Sequence, residues 1–209
     1  MKAFDIITEA DARSLEIGSS VTLRTGGHVT PLAADTLRAR RITVHGAVAE
    51  ASLDGLAPVA AVRAVAIGSD HGGVALKATL RDYLRQKGLS VLDIGTDGPD
   101  AVDYPDIAAQ GARLVARKEV DAAIVIDGAG IGSAIAANKI DGVRAAMCND
   151  QTLARYAREH NGANVLTLGA TLVSTDQAKA IVDTWLTTPM GEARYLRRLA
   201  KIRALEQRQ

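Results

Sequence analysis

One short loop, Asp127-Gly128-Ala129-Gly130-Ile131-Gly132, carries the sharpest chemical signal in this chain. Glycines in such a loop let backbone N–H groups close on an anion, and a helix opening behind them adds favourable partial charge. Taken alone, the loop fits a dinucleotide, a phosphate, the oxyanion of a reaction intermediate, or a tight turn with no ligand. A dinucleotide site calls for an acidic residue about 20 positions further on, and only Asp141 and Asp150 stand loosely there. A second group is Ser69-Asp70-His71-Gly72-Gly73. An Asp-His pair ahead of two glycines can hydrogen-bond sugar hydroxyls or move a proton; the plainer alternative is an N-cap by Asp70 beside an exposed His71. His160-Asn161 ends a helical pattern, where a protonated histidine interacts well with the helix dipole. On local sequence alone, that is the stronger reading. Arg194 and Arg198 are one helical turn apart and point the same way. That spacing suits a clamp on a phosphate, or two ordinary surface arginines.

These groups need elements to hold them. From residue 64 onward, apolar runs at 65–68, 90–94, 122–126, 143–148 and 165–168 alternate with helical patterns at 74–86, 107–116, 132–139, 152–159, 176–186 and 191–208. The run Ala122-Ala-Ile-Val-Ile126 is nearly continuous, as expected of a strand covered on both faces. Strand–helix alternation five times over implies a parallel sheet with right-handed crossovers. The fold class expected is α/β: a Rossmann-like five-stranded parallel sheet flanked by helices, with a small N-terminal α+β appendage. In such sheets ligands bind beyond the C-terminal strand ends, where both Asp70 and Asp127 fall.

Residues 1–46 form a separate module in this reading. Thr8 looks like a helix cap, 21–24 alternates as a strand, Thr30-Pro31 opens a helix to residue 41, and 42–45 alternates again. Residues 47–63 are Ala-rich with scattered Gly and Pro and read as a linker, leaving 64–209 as the main domain.

Composition narrows the function classes. With 25 Lys+Arg against 24 Asp+Glu, there is no excess of base for a general nucleic-acid face. At 47% hydrophobic and 3% aromatic, the core must be built from Ala, Val, Leu and Ile. No apolar run approaches the ~20 residues that span a bilayer, and the N-terminus lacks the pattern of a signal peptide. The single cysteine, Cys148, excludes an intrachain disulfide and reads as a small buried residue. The expectation is a soluble cytoplasmic protein, with no nucleic-acid or membrane partner.

Six blocks in order resemble the type B ribose-5-phosphate isomerase family, which includes the galactose-6-phosphate isomerase subunits. They are Gly68-Ser-Asp-His-Gly-Gly73, Asp103-Tyr-Pro-Asp106, Gly128-Ala-Gly-Ile-Gly-Ser-Ala-Ile-Ala-Ala-Asn-Lys139, Glu159-His-Asn161, Asn164-Val-Leu-Thr-Leu-Gly169 and the Arg194/Arg198 pair. The resemblance covers about 64–208. It implies a homodimer, often paired into a tetramer, with active sites between subunits and no metal or organic cofactor. It implies that Asp70 and His71 bind the sugar, with Asp70 among the catalytic residues. His160 helps open the sugar ring, and Asn161 holds a hydroxyl or the enediolate. Gly128, Gly130 and Gly132 belong to an anion hole, Tyr104 lines the site, and Arg194 and Arg198 hold the phosphate. The chemistry fits: aldose–ketose exchange needs a base, an oxyanion hole and a handle on the non-reacting end.

Three positions depart from that pattern. Most members carry a cysteine base where Asp127 stands, and some a glutamate where this chain has Ser133. Serine cannot serve as that base, which makes Asp127 the acidic candidate in the loop; a carboxylate can do this work when burial makes it more basic. A hydroxyl two residues on is replaced by Ala129, and an arginine expected near 171 is Thr171. The expected function is isomerisation of a phosphorylated sugar, by default ribose 5-phosphate to ribulose 5-phosphate. The alternative is a non-catalytic sugar-phosphate-binding or scaffold protein. Residues 7–11 and 29–44 resemble the start of the ethanolamine-associated cobalamin adenosyltransferase of bacterial microcompartments. That implies a docking or cargo module, directed at a microcompartment shell or a pathway enzyme, and a microcompartment interior as a second possible address.

Overall fold

A computed structural model describes residues 2–45, 56–58, 61–190 and 193–206, apart from the side chains of 25, 193 and 194. The chain divides into two compact units, Met1–Ser52 and Leu53–Gln209. Most of the expected linker, residues 47–55 and 59–60, lies outside the described residues, as does residue 46. Its far end is packed: Leu56 is buried and its carbonyl accepts from Arg144 at 3.0 Å, and Val62 lies against the core.

The first unit alternates strand and helix: β1 (Ala3–Ile7), α1 (Glu9–Ser14), β2 (Ser20–Val29), α2 (Pro31–Ala39) and β3 (Thr43–His45). Its three strands pair in parallel in the order β1-β2-β3. Thr8 and Asp11 form a capping box at α1, and Thr30 caps α2 ahead of Pro31. Ile7, Ala12, Val21, Leu23, Ala33, Leu37 and Ile42 make a small core. Strand β1 escaped the sequence reading because it buries only Ile7 and shows no clean alternation.

The second unit runs β4 (Ala64–Ser69), α3 (Val74–Gln86), β5 (Ser90–Asp93), α4 (Tyr104–Ala116), β6 (Ala122–Asp127), α5 (Ile131–Ala137), β7 (Ala145–Met147), α6 (Gln151–Glu159), β8 (Val165–Gly169), α7 (Thr175–Thr187) and α8 (Ala193–Glu206). The five strands are parallel, in the order β5-β4-β6-β8-β7. Central β6 is buried along its whole length, and its residues alternate between two cores. Ile124 and Ile126 join Ile67, Leu80, Leu84, Leu166, Leu168 and Trp185 on one face. Ala123 and Val125 join Ala66, Ala108, Ala112 and Val115 on the other, where small residues let α4 lie close. Among the described residues no helix is long and apolar enough to cross a membrane.

One polar group lies inside this frame. Lys77 on α3 has a side chain only 1% exposed, and its ammonium reaches Asp93 at 2.6 Å and Asp97 at 2.7 Å. Burial works to raise the Asp93 carboxyl, but hydrogen bonds from Lys77, the Gly95 N–H and Arg81 together hold it below the usual carboxylate range. This network ties α3 to the stretch after β5, beside the C-terminal end of the sheet.

Candidate active site

Two groups of the expected site residues end up at opposite ends of the sheet. The first gathers at the C-terminal strand ends. Asp127 is the last residue of β6, paired in register with Gly169 of β8. It is 4% exposed, and its carboxylate turns back into its own loop. Oδ1 accepts from the N–H of Ala129 (2.8 Å) and of Gly130; Oδ2 accepts from the N–H of Ser133 (2.9 Å) and from its hydroxyl. Four donors match the roughly four lone-pair sites of an ionised carboxylate. The N–H groups of Gly128, Ile131 and Gly132 take no hydrogen-bond partner among the described residues. They are the donors left for a ligand.

The loop is also held from below. Thr167 Oγ1 donates to the Gly130 carbonyl (2.7 Å), and Thr171 donates to the Gly128 carbonyl through both its N–H (3.1 Å) and its hydroxyl (2.6 Å). Thr171 stands where an arginine was expected, and here it is a brace for the loop. Gly130 has φ +76°, and Gly169 packs so tightly that a Cβ would fall 2.8 Å from Ala129 backbone atoms.

Asp70 follows β4 and is nearly buried. Its Oδ1 caps the short 3-10 turn through the N–H groups of Gly72 (2.9 Å) and Gly73 (3.2 Å). The capping alternative is thus realised, yet Oδ2 takes no hydrogen bond among the described residues and stays available for a sugar hydroxyl. His71 is exposed, with Nδ1 accepting weakly from the Val102 N–H at 3.4 Å. Tyr104 opens α4, three residues earlier than the sequence pattern suggests, because Asp103 occupies the cap position and Pro105 lies in the first turn. Its ring lies across Gly132: a Cβ there would be 2.5 Å from Cε2 and Cζ. The Asp-Tyr-Pro block and the glycine loop therefore meet.

The second group lies at the other end of the sheet. Helix α6 starts beyond the C-terminal end of β7 and returns, so His160 and Asn161 arrive where β8 begins, near Arg144 and Asn164 at the start of β7. The five residues of β8, at about 3.3 Å each, separate this level from the glycine loop. His160 is stacked between Tyr156 and Tyr195, both ring centroids 4.7 Å away. Asn161 donates to the Tyr156 carbonyl (3.0 Å). Arg198 is exposed on α8 with its guanidinium 5.7 Å from the Tyr195 ring centroid. Arg194 lies on the same helix one turn earlier, but its side chain is outside the described residues. A cavity of about 610 Å³ opens beside Asn161, lined also by Asn138, Lys139, Arg144 and Glu206, well away from Asp127.

Sequence reasoning passed over Ser133 and Thr171 as positive contributors, and over Tyr156 and Tyr195 entirely. Tyr156 carried a local signal, since it precedes His160 by one helical turn. Tyr195 carried none, because its contact with His160 depends on where α8 packs. Cys148 is buried, and burial with a lesser contribution from Asp150 pushes its thiol up to about 12, so it is no nucleophile. Among the described residues no three His, Cys, Asp or Glu side chains form a metal site.

A family model described as Ribose/Galactose Isomerase matches residues 65–202. The chain belongs to that family. It is 42% identical over 147 residues to ribose-5-phosphate isomerase B of Escherichia coli (strain K12), an overlap of 70% of this chain and 99% of that one. It is also 42% identical over 124 residues to D-erythrulose-4-phosphate isomerase of Pectobacterium atrosepticum, covering 58% of this chain and 81% of that one. Among solved structures, ribose-5-phosphate isomerase B of Clostridium thermocellum superposes with a TM-score of 0.68 at 46% identity, over 69% of this chain and 97% of that one. The family match begins at β4, so the first unit lies outside it.

Proposed function

We propose that the chain interconverts an aldose phosphate and a ketose phosphate through an enediolate, by default ribose 5-phosphate and ribulose 5-phosphate. The observation that carries this is the glycine loop: three N–H donors above β6 with no partner among the described residues, flanked by Asp70, His71 and Tyr104. In the open-chain aldose, a base takes the C2 proton and the electron pair moves into the C1–C2 bond, leaving an oxyanion on O1. The loop donors stabilise that oxyanion. Return of the proton to C1, with proton transfer from O2 to O1, yields the ketose. Asp127 is the proposed base, acting through Oδ2. Three of its four hydrogen bonds come from fixed backbone; only the Ser133 hydroxyl can rotate away and release a lone pair.

His160, Asn161, Arg194 and Arg198 serve the same reaction from the other end of the sheet. One copy cannot bring them to Asp127, so the complete site is shared with a second copy. In it His160 opens the sugar ring and the arginines hold the phosphate. Relatives named for five-carbon and four-carbon sugar phosphates leave chain length to the distance between loop and clamp. The scaffold reading has one observation in its favour: the Asp127 carboxylate is fully engaged.

The test is an isomerase assay on a panel of phosphorylated aldoses and ketoses, with Asp127→Asn and His160→Ala variants measured alone and after mixed refolding. In a dimer with shared sites, mixing restores about a quarter of wild-type activity, because half the dimers carry one intact site of two. Binding without turnover on every sugar phosphate supports the scaffold reading instead, and activity with no recovery on mixing sinks the shared site.

For residues 1–46 the proposal is a docking or cargo module for a microcompartment shell or a neighbouring pathway enzyme. Its separate core and its position outside the family match support this. Deleting 1–46 leaves isomerase kinetics unchanged and abolishes co-purification with shell or pathway proteins; retained co-purification removes the idea.

A further inference from the structure

The geometry points to Tyr156 and Tyr195 as positioning residues that fix the imidazole of His160 by stacking alone, leaving both ring nitrogens free for substrate. This rests on the proposed ring-opening role of His160.

The His160 ring lies between two tyrosine rings, with interplanar angles of 16° to Tyr156 and 30° to Tyr195. Both faces are covered, so only the edge carrying the nitrogens can meet a ligand. A functional histidine is usually oriented by a hydrogen bond to one nitrogen, which commits that nitrogen. Here neither nitrogen has a hydrogen bond among the described residues; the nearest acid, Glu159, is 3.8 Å from Nε2, beyond hydrogen-bond range. Opening a sugar ring takes a proton from the anomeric hydroxyl and gives one to the ring oxygen. An imidazole edge free of protein hydrogen bonds can perform both transfers in turn, one nitrogen taking the hydroxyl proton and returning it to the ring oxygen.

The two tyrosines hold from different elements. Tyr156 is on α6, and its carbonyl accepts from the His160 N–H (3.1 Å) and the Asn161 side chain (3.0 Å), which fixes the His-Asn turn. Tyr195 is on α8, nearly buried, and fixes the other face. Cations close the column: the Arg155 guanidinium is 4.8 Å from the Tyr156 centroid, and Arg198 is 5.7 Å from that of Tyr195.

The experiment compares Tyr195→Leu and Tyr195→Phe in the full-length protein by two readouts. The first is turnover of ribose 5-phosphate, whose ring must open. The second is exchange of the C1 hydrogen of ribulose 5-phosphate with solvent. That ketose is acyclic, since its C5 oxygen carries the phosphate, so exchange needs enolisation but no ring opening. Tyr195→Leu is expected to lower aldose turnover by about 10- to 100-fold through misorientation while exchange stays near wild type, which also shows that the variant is folded. Tyr195→Phe, which keeps the stack, retains clearly more aldose turnover than Tyr195→Leu. Equal loss in both readouts, a Phe variant as damaged as Leu, or a Leu variant with full aldose turnover each overturns the stacking role. Full aldose turnover in His160→Ala instead overturns the ring-opening reading beneath it.

Discussion

Asp127→Asn lowers isomerase turnover by about 10²- to 10⁴-fold, the usual worth of a positioned general base, and Asp127→Cys recovers part of the loss. Two effects act together in the amide variant. The proposed proton acceptor is gone, because a neutral amide cannot take a proton from carbon. The loop also loses its internal anion. Whichever way the amide is turned, its NH₂ faces N–H donors that Asp127 now satisfies: Ala129 and Gly130 on one side, Ser133 on the other. At least one buried donor is left unpaired, at about 1–3 kcal/mol. The Ser133 hydroxyl can reverse and accept, so the side of Ser133 is the cheaper one to disturb. Cysteine places a titratable proton acceptor at the same strand end and is the residue that the family resemblance implies there. The measurements are kcat and KM on ribose 5-phosphate, with a urea midpoint to separate catalysis from folding. An Asp127→Asn enzyme with full turnover removes Asp127 as base and leaves it as the anion around which the loop is built.

Gly130→Ala is expected to cost about 3 kcal/mol or more of stability and to abolish activity. Gly130 has φ +76°, a conformation that costs an L side chain roughly 1–2 kcal/mol. Its Cβ would also stand 2.9 Å from the Leu168 carbonyl carbon and 3.0 Å from the Gly169 nitrogen, both backbone atoms of β8 that cannot yield. The loop must lift, which breaks the Gly130 N–H bond to Asp127 and the Thr167 hydroxyl bond to the Gly130 carbonyl. Gly128→Ala is the contrasting variant. A Cβ there meets nothing within 4 Å and φ is not positive, so its stability should stay within about 0.5 kcal/mol of wild type. Denaturant unfolding of the two variants side by side is the check; equal losses would show that the loop's glycines are not distinguished by packing.

Much of the fold was legible because its signals are local. The apolar runs of β4, β6 and β8 are buried on both faces and read as strands without any long-range information. Glycine punctuation marked the turn after β6, and Thr30-Pro31 marked the start of α2. Strand β1 was missed because a short edge strand with one buried residue has no period to detect. The start of α4 at Tyr104 was missed because the apolar stripe begins only at Ile107, while the cap is polar.

The sequence by itself determined the inventory of the candidate site: Asp70 and Asp127 at strand ends, glycines behind them, His160-Asn161 at a helix end, two arginines one turn apart. Residue type and spacing along one element settle these, since a strand or helix fixes the relative positions of its own residues. Only the tertiary structure decided how the inventory is divided. Helix α6 runs back along the sheet, so His160 and Asn161 lie a full strand length from Asp127 in the same copy. It also decided that the Asp127 carboxylate faces its own loop, that Thr171 braces the loop from β8's end, and that Tyr195 reaches His160 from α8. Each of these depends on contacts between elements distant in the chain. Sheet order and helix packing set those contacts, and no local pattern encodes them.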